Sequence, residues 1–160
     1  RPGPRSWLAP ILGRRIDRIL FAATKADHLH HSQHAALGAI AEALVGEARA
    51  RALFSGAETR AMAIASLRAT VEQTVTRDGR EIEVVRGREK ETGAEVAVYP
   101  GALPEDPAAI LAPARQGAGD WADAAYRVTR FAPPRLRPGD GLPHIRLDRA
   151  AQFLIGDRLA

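Results

Sequence analysis

The 160-residue chain contains no cysteine. Disulfide scaffolds, thiolate zinc sites, iron–sulfur clusters and cysteine nucleophiles are therefore excluded. Lysine is scarce: Lys25 and Lys90 stand against 21 arginines, and alanine fills 32 positions. That imbalance reads as the codon bias of a GC-rich genome rather than as a surface built for nucleic acid. Long apolar runs are missing as well. A membrane-spanning helix needs about 18 consecutive apolar residues, and no run here exceeds that of Ile19–Ala23, which has the length of a strand. The chain opens on Arg1, without a methionine or a signal-peptide pattern, as expected of a piece of a longer polypeptide.

With 46% hydrophobic and 26% charged residues, the composition is that of a soluble globular chain, and the length suits one domain. The formal charge of +4 is uneven. Residues 1–80 hold twelve basic and seven acidic groups, a net of +5, and residues 81–160 a net of −1. No stretch interleaves basic residues with exposed aromatics as RNA-binding surfaces do, so nucleic acid is not an expected partner.

Hydropathy patterning predicts an α/β fold. Residues 1–15 are rich in proline and glycine and read as a lead-in, with Trp7, Leu8, Ile11 and Leu12 packing locally. Ile16–Ala23 reads as a strand whose apolar second half is buried on both faces of a parallel sheet. A helix is expected from about His30 to Phe54, with Leu37, Ile40 and Leu44 at helical spacing. Ala61–Ser66 reads as a second strand, completing a βαβ unit over residues 16–70. An antiparallel meander follows from Thr70 to Tyr99, with turns at Asp78-Gly79 and Thr92-Gly93. It opens an insertion over residues 71–143, whose later part is rich in proline and glycine. Short helices are expected near Pro107–Ala112 and Asp120–Tyr126, with Trp121 and Tyr126 anchoring that layer. Residues 144–160 close the chain as a helix with Asp148 as N-cap and an apolar stripe through Leu147, Ala150, Ala151 and Leu154, the Leu154 face packing back on the sheet.

The chemistry concentrates at Ala22-Ala23-Thr24-Lys25-Ala26-Asp27, immediately after the first strand. This has the form [N/T]-K-x-D. A carboxylate at the mouth of a parallel strand can accept two hydrogen bonds from N1–H and the exocyclic amine of guanine. Adenine offers no such donor pair, so the wrong base leaves buried groups unpaired. The lysine stem lies against the base with its ammonium turned towards phosphate. About forty residues on, the second strand ends in Ala65-Ser66-Leu67-Arg68-Ala69-Thr70, similar to the S-A-K-type loop whose backbone N–H meets guanine O6 in G domains. In an α/β sheet both loops fall on the ligand-binding edge.

The match extends beyond the two loops. Arg15–His34 (RIDRILFAATKADHLHHSQH), His144–Ala160 (HIRLDRAAQFLIGDRLA), the strand leading into Ala65–Thr70 and the Phe131–Pro134 segment together resemble the C-terminal part of the YcjX-like family of stress-associated P-loop GTPases. The resemblance implies the C-terminal part of a Ras-like P-loop GTPase domain carrying an antiparallel β insertion. It implies binding of GTP and GDP, GTP hydrolysis by the whole protein, and a bacterial setting either cytoplasmic or peripheral to the inner membrane. Carried over by position, Thr24, Lys25 and Asp27 hold the base, Ser66 and Leu67 complete its pocket, and Arg68 stands where the SAK lysine would. Thr24 replaces the commoner asparagine, and its hydroxyl lacks the amide's second arm.

Neither a G-x-x-x-x-G-K-[ST] phosphate loop nor a D-x-x-G ahead of the first strand occurs. The phosphate cradle and the Mg²⁺ ligands are therefore expected from residues outside this chain, which alone is expected not to hydrolyse GTP. Two other readings stand beside this one. Asp27 is of a type that caps helices, so TKAD could be a helix cap in a non-enzymatic interaction module, with the meander binding a protein partner. The cluster His28, His30, His31 and His34, with Asp27 beside it, has spacing suited to a borderline metal; its plainer reading is a polar helix start. Arg77, Arg80, Arg86 and Arg88 on the meander are largely cancelled by Glu81, Glu83, Glu89 and Glu91. The insertion is nonetheless the place expected to carry protein-partner specificity.

Overall fold

The computed structural model describes residues 16–108 and 129–159. Within them the fold is α/β, with a parallel two-stranded sheet, an antiparallel three-stranded sheet and a C-terminal helix. Strand β1 (Arg18–Ala23) pairs in parallel with β2 (Glu58–Ala63), in a register running from Arg18↔Glu58 to Ala23↔Ala63. The crossover between them carries α1 (His34–Leu44) and α2 (Gly46–Phe54). β1 is less buried than its apolar composition predicts: its residues are half-buried and Ala22 is exposed. The sheet is only two strands wide among the described residues, so β1 has one edge without a neighbouring strand there.

The single helix expected over residues 30–54 is divided. Two 3-10 turns, Ala26–His28 and His31–Gln33, lead into α1. Val45, with φ −98° and ψ 10°, interrupts α1 and α2, where a β-branched residue precedes Gly46, a poor helix former. α2 ends in a Schellman motif: Gly56 takes φ 83°, its N–H donates to Leu53 O, and Ala57 N–H donates to Ala52 O.

Ala26, Ala63, Ala65 and Ile145 form the core, with Leu37 of α1 packed against them. Small residues dominate because the loop after β1, the end of β2 and the chain returning at residue 145 converge there. Ala65 and Ile145 exchange backbone hydrogen bonds in an isolated antiparallel bridge.

The meander forms as β3 (Thr70–Arg77), β4 (Arg80–Arg88) and β5 (Glu95–Val98), paired in that order. Asp78 (φ 53°) and Gly79 (φ 72°) make its first turn, the two left-handed residues of a type I′ hairpin. Val84 and Val85, successive residues of β4 whose side chains point to opposite faces of the sheet, are both buried. Gly87 is required by close approach: a Cβ there would stand 2.8 Å from the Phe131 ring and 2.9 Å from Ala69 O.

The closing helix, α3 (Leu147–Ile155), differs from its expected form. It buries Ala150 and Phe153, with the Arg60 guanidinium 4.6 Å over the Phe153 ring, while Leu147 and Leu154 remain about 40% exposed. The buried stripe therefore runs one position away from the expected Leu154 face. Arg146, in a left-handed conformation, is the N-cap; Asp148 lies in the first turn. The lead-in, the expected helix at Asp120–Tyr126, most of that at Pro107–Ala112, and the roles of Trp121 and Tyr126 lie outside the described residues. Among the described residues no helix is long and apolar enough to cross a membrane.

Candidate functional site

Thr24 and Lys25 leave the carboxyl end of β1, both exposed. Lys25 adopts a left-handed conformation (φ 60°, ψ 35°) that turns the chain sharply. The turn places the Ala26 N–H on Ile64 O at 3.0 Å and drives Asp27 inward, where it is 4% exposed. A left-handed non-glycine residue is strained unless its surroundings fix it; here the buried Ala26 and Asp27 do so.

Asp27 caps none of the helices, contrary to the helix-cap reading. The N-caps on this stretch are Lys25, His30 and Gln33. The Asp27 carboxylate instead crosses to the loop after β2, where Oδ2 accepts the Ala69 N–H at 2.9 Å. Its backbone carbonyl accepts the hydroxyl of the buried Thr70. Asp27 thus ties the two loops at the carboxyl edge of the parallel pair.

Ser66 and Leu67 form the bend of the second loop, Ser66 exposed and Leu67 half-buried. Arg68 is held at its backbone by Pro143 O at 2.8 Å. Its side chain donates from Nε to Thr70 O at 3.1 Å and from Nη2 to Glu72 Oε1 at 3.0 Å. The structure thus brings Thr24–Asp27 and Ser66–Arg68 to one sheet edge, with the Arg68 guanidinium directed along β3. Two clefts of about 930 and 960 Å³ among the described residues lie elsewhere, one between the parallel strands and α3 and the other on the meander.

The four histidines do not converge on one point. His28 meets the Phe131 ring edge-on, with centroids 5.2 Å apart. Burial pushes its imidazole below the usual histidine range, with Asp27 opposing the shift and Lys25 adding to it. His34 is buried and structural: Nε2 donates to Ala26 O at 2.8 Å and Nδ1 accepts from Arg146 Nη1 at 3.3 Å. The same guanidinium nitrogen donates to Ala63 O, so His34 and Arg146 brace the first loop against the end of β2. His30 and His31 alone come together, and they do so with Glu72 of β3.

The site roles of Glu72, Glu83, Phe131, Arg146 and the Ala69 amide are not legible in the sequence. Each joins the site from forty or more positions away from its partner, and no local spacing signals such a pairing.

Residues 1–159 match the family model described as the YcjX-like family, DUF463. Two relatives bear the name Ras-like GTPase YcjX. The Escherichia coli (strain K12) protein is 36% identical over 157 residues, covering 98% of this chain and 32% of that one. The Shewanella oneidensis protein is 32% identical over 162 residues, covering 98% of this chain and 31% of that one. The chain spans about a third of the length of these relatives.

Proposed function

The chain belongs to the YcjX-like family, and on that premise we propose that it is the guanine-reading part of a P-loop GTPase. The observation that carries this is the Asp27–Ala69 hydrogen bond, which joins a TKAD loop and an SLR loop at the carboxyl edge of two parallel strands. Ligands of open α/β sheets bind at that edge. Held there, the Asp27 carboxylate is pre-organised to accept N1–H and the exocyclic amine of guanine. Ala69 occupies only one of the roughly four lone-pair sites that a carboxylate offers.

Lys25 covers one face of the base with its aliphatic stem. Thr24 steadies the first loop through its hydroxyl, and Ser66 and Leu67 present backbone N–H groups to O6. Arg68, with its guanidinium engaged by Thr70 and Glu72, fixes the shape of the second loop. GTP and GDP are the ligands. The phosphate loop, the Mg²⁺ ligands and the group that orients the attacking water belong to residues outside this chain, because no phosphate-loop motif occurs within it. Hydrolysis is thus an activity of the whole protein.

Residues 16–70 form the base-reading unit, residues 71–143 an insertion suited to a protein partner, and residues 144–160 a helix that packs back on the sheet. The family resemblance extends the reading to a stress-associated bacterial protein, either cytoplasmic or peripheral to the inner membrane.

The test is Asp27→Asn in the complete natural polypeptide. An amide at this position presents a donor where guanine needs an acceptor and suits xanthine, which carries a carbonyl there. Weaker GTP binding with a gain for xanthosine triphosphate is the expected result; unchanged GTP affinity removes Asp27 as the base reader.

A further inference from the structure

Glu72 of β3 lies where the segment after the first loop docks on the meander. One of its oxygens, Oε1, is held by Arg68 Nη2 at 3.0 Å. The other, Oε2, faces His31 Nδ1 at 2.5 Å and His30 Nε2 at 3.8 Å. The three ligand atoms lie within 4.8 Å of one another. In a tetrahedral zinc site, with bonds of about 2.0–2.2 Å, neighbouring ligand atoms stand about 3.4 Å apart. Small side-chain shifts reach that geometry, and the exposed His31 is free to make them.

The ligands also have the outer contacts that such sites use. Around His30 Nδ1 stand Ser32 Oγ at 3.0 Å, Glu83 Oε2 at 3.3 Å and the Ser32 N–H at 3.4 Å. Two acceptor oxygens against one more distant donor favour the hydrogen on Nδ1, which leaves the Nε2 lone pair for a cation. Ser32 Oγ donates in turn to Glu83 Oε2 at 2.6 Å. A ligating imidazole whose second nitrogen points to a carboxylate, and a ligating carboxylate whose second oxygen is bonded, are recurrent second-layer contacts of metal sites.

We propose that His30, His31 and Glu72 form a site for a borderline divalent transition cation of the zinc class. Two imidazoles and one carboxylate suit Zn²⁺ or Co²⁺ and disfavour Mg²⁺ and Ca²⁺, which prefer all-oxygen sets. His30 is buried, Glu72 half-buried and His31 exposed, so the fourth position opens to solvent and takes water. A bound cation would replace the His31–Glu72 hydrogen bond and clasp the segment after TKAD to β3. The site needs no nucleotide.

The experiment is Co²⁺ titration of the chelator-treated complete polypeptide without nucleotide, followed by its visible d–d absorption, with Zn²⁺ competition measured by calorimetry. The expected result is one cobalt with the intense absorption of a low-coordinate site, displaced by micromolar Zn²⁺. His31→Ala alters an exposed side chain and should keep the fold, checked by circular dichroism; it should weaken binding by about 10–100-fold. Glu72→Gln should do the same, and His144→Ala, away from the cluster, should change nothing. Absence of low-coordinate cobalt absorption, or binding untouched by both His31→Ala and Glu72→Gln, overturns the proposal. Neither result bears on guanine recognition, which Asp27→Asn tests separately.

Discussion

The Asp27 carboxylate accepts the N–H of Ala69 at 2.9 Å across 42 positions of sequence. One side chain therefore fixes the distance between the loop that follows β1 and the loop that follows β2. Removing it as Asp27→Ala leaves the Ala69 N–H without its acceptor and empties a nearly fully buried position. A cost of about 1–3 kcal/mol in urea unfolding is expected. Asp27→Asn keeps an oxygen for the Ala69 N–H and should cost less. A larger loss for Asn than for Ala would mean that the carboxylate does not organise the two loops.

His34 and Arg146 act as a unit. The imidazole ties the carbonyl of Ala26 to the guanidinium, which also binds Ala63 O. His34→Ala should destabilise by about 1–3 kcal/mol, the range for a buried polar network that loses a member. In a double-mutant cycle with Arg146→Ala, a coupling of about 0.5–3 kcal/mol is expected because the two side chains bond each other. Strict additivity would show that they act separately.

How far the sequence reveals this arrangement depends on the range of the interaction. The parallel pair, the hairpin turn at Asp78-Gly79 and the closing helix are written in local apolar patterns and turn residues, and they form within a few residues of where those patterns place them. The division of the long helix at Val45 is a matter of marginal propensities that tertiary packing decides. The placement of Thr24–Asp27 and Ser66–Arg68 at one edge follows from strand order. The Asp27–Ala69 bond, the Glu72 contacts of His30 and His31, and the separation of His28 and His34 from those two depend on how the meander docks. A helical-spacing argument treats the four histidines as one face; two 3-10 turns before α1 break that face apart.

Asp157 supplies a pH signature at the edge of the parallel pair. Its hydrogen bond with Arg18 Nη1 holds the carboxyl below the usual aspartate range. A carboxylate lowered in the folded state stabilises the fold above the unfolded value, near 3.8 for aspartate, and that contribution fades as pH falls through the folded value. The pair is solvent-exposed, so the effect is small and screened by salt. Wild type and Asp157→Asn should differ slightly in urea midpoint at neutral pH and low salt, and converge in acid. A gap that persists or widens in acid would assign the difference to something other than this pair.

Gly87 gives the sharpest steric test of how the insertion returns to the first sheet. Its backbone φ is unremarkable for any residue, so a substitution there meets neighbours rather than torsional strain. A Cβ would approach the Phe131 ring to 2.8 Å and the Ala69 carbonyl to 2.9 Å. The ring is a side chain and can rotate away. The carbonyl belongs to the residue whose N–H Asp27 holds, so it cannot withdraw without loosening the link between the loops. Gly87→Ala should therefore cost about 1–3 kcal/mol, as overpacking does, and, if the proposed guanine reading by the Asp27 loop holds, should also weaken guanine-nucleotide binding by the whole protein. Adding Phe131→Leu should restore only part of the stability, because the clash with the Ala69 carbonyl remains. Full recovery in the double variant would place the whole strain on the ring and break the predicted connection to Asp27.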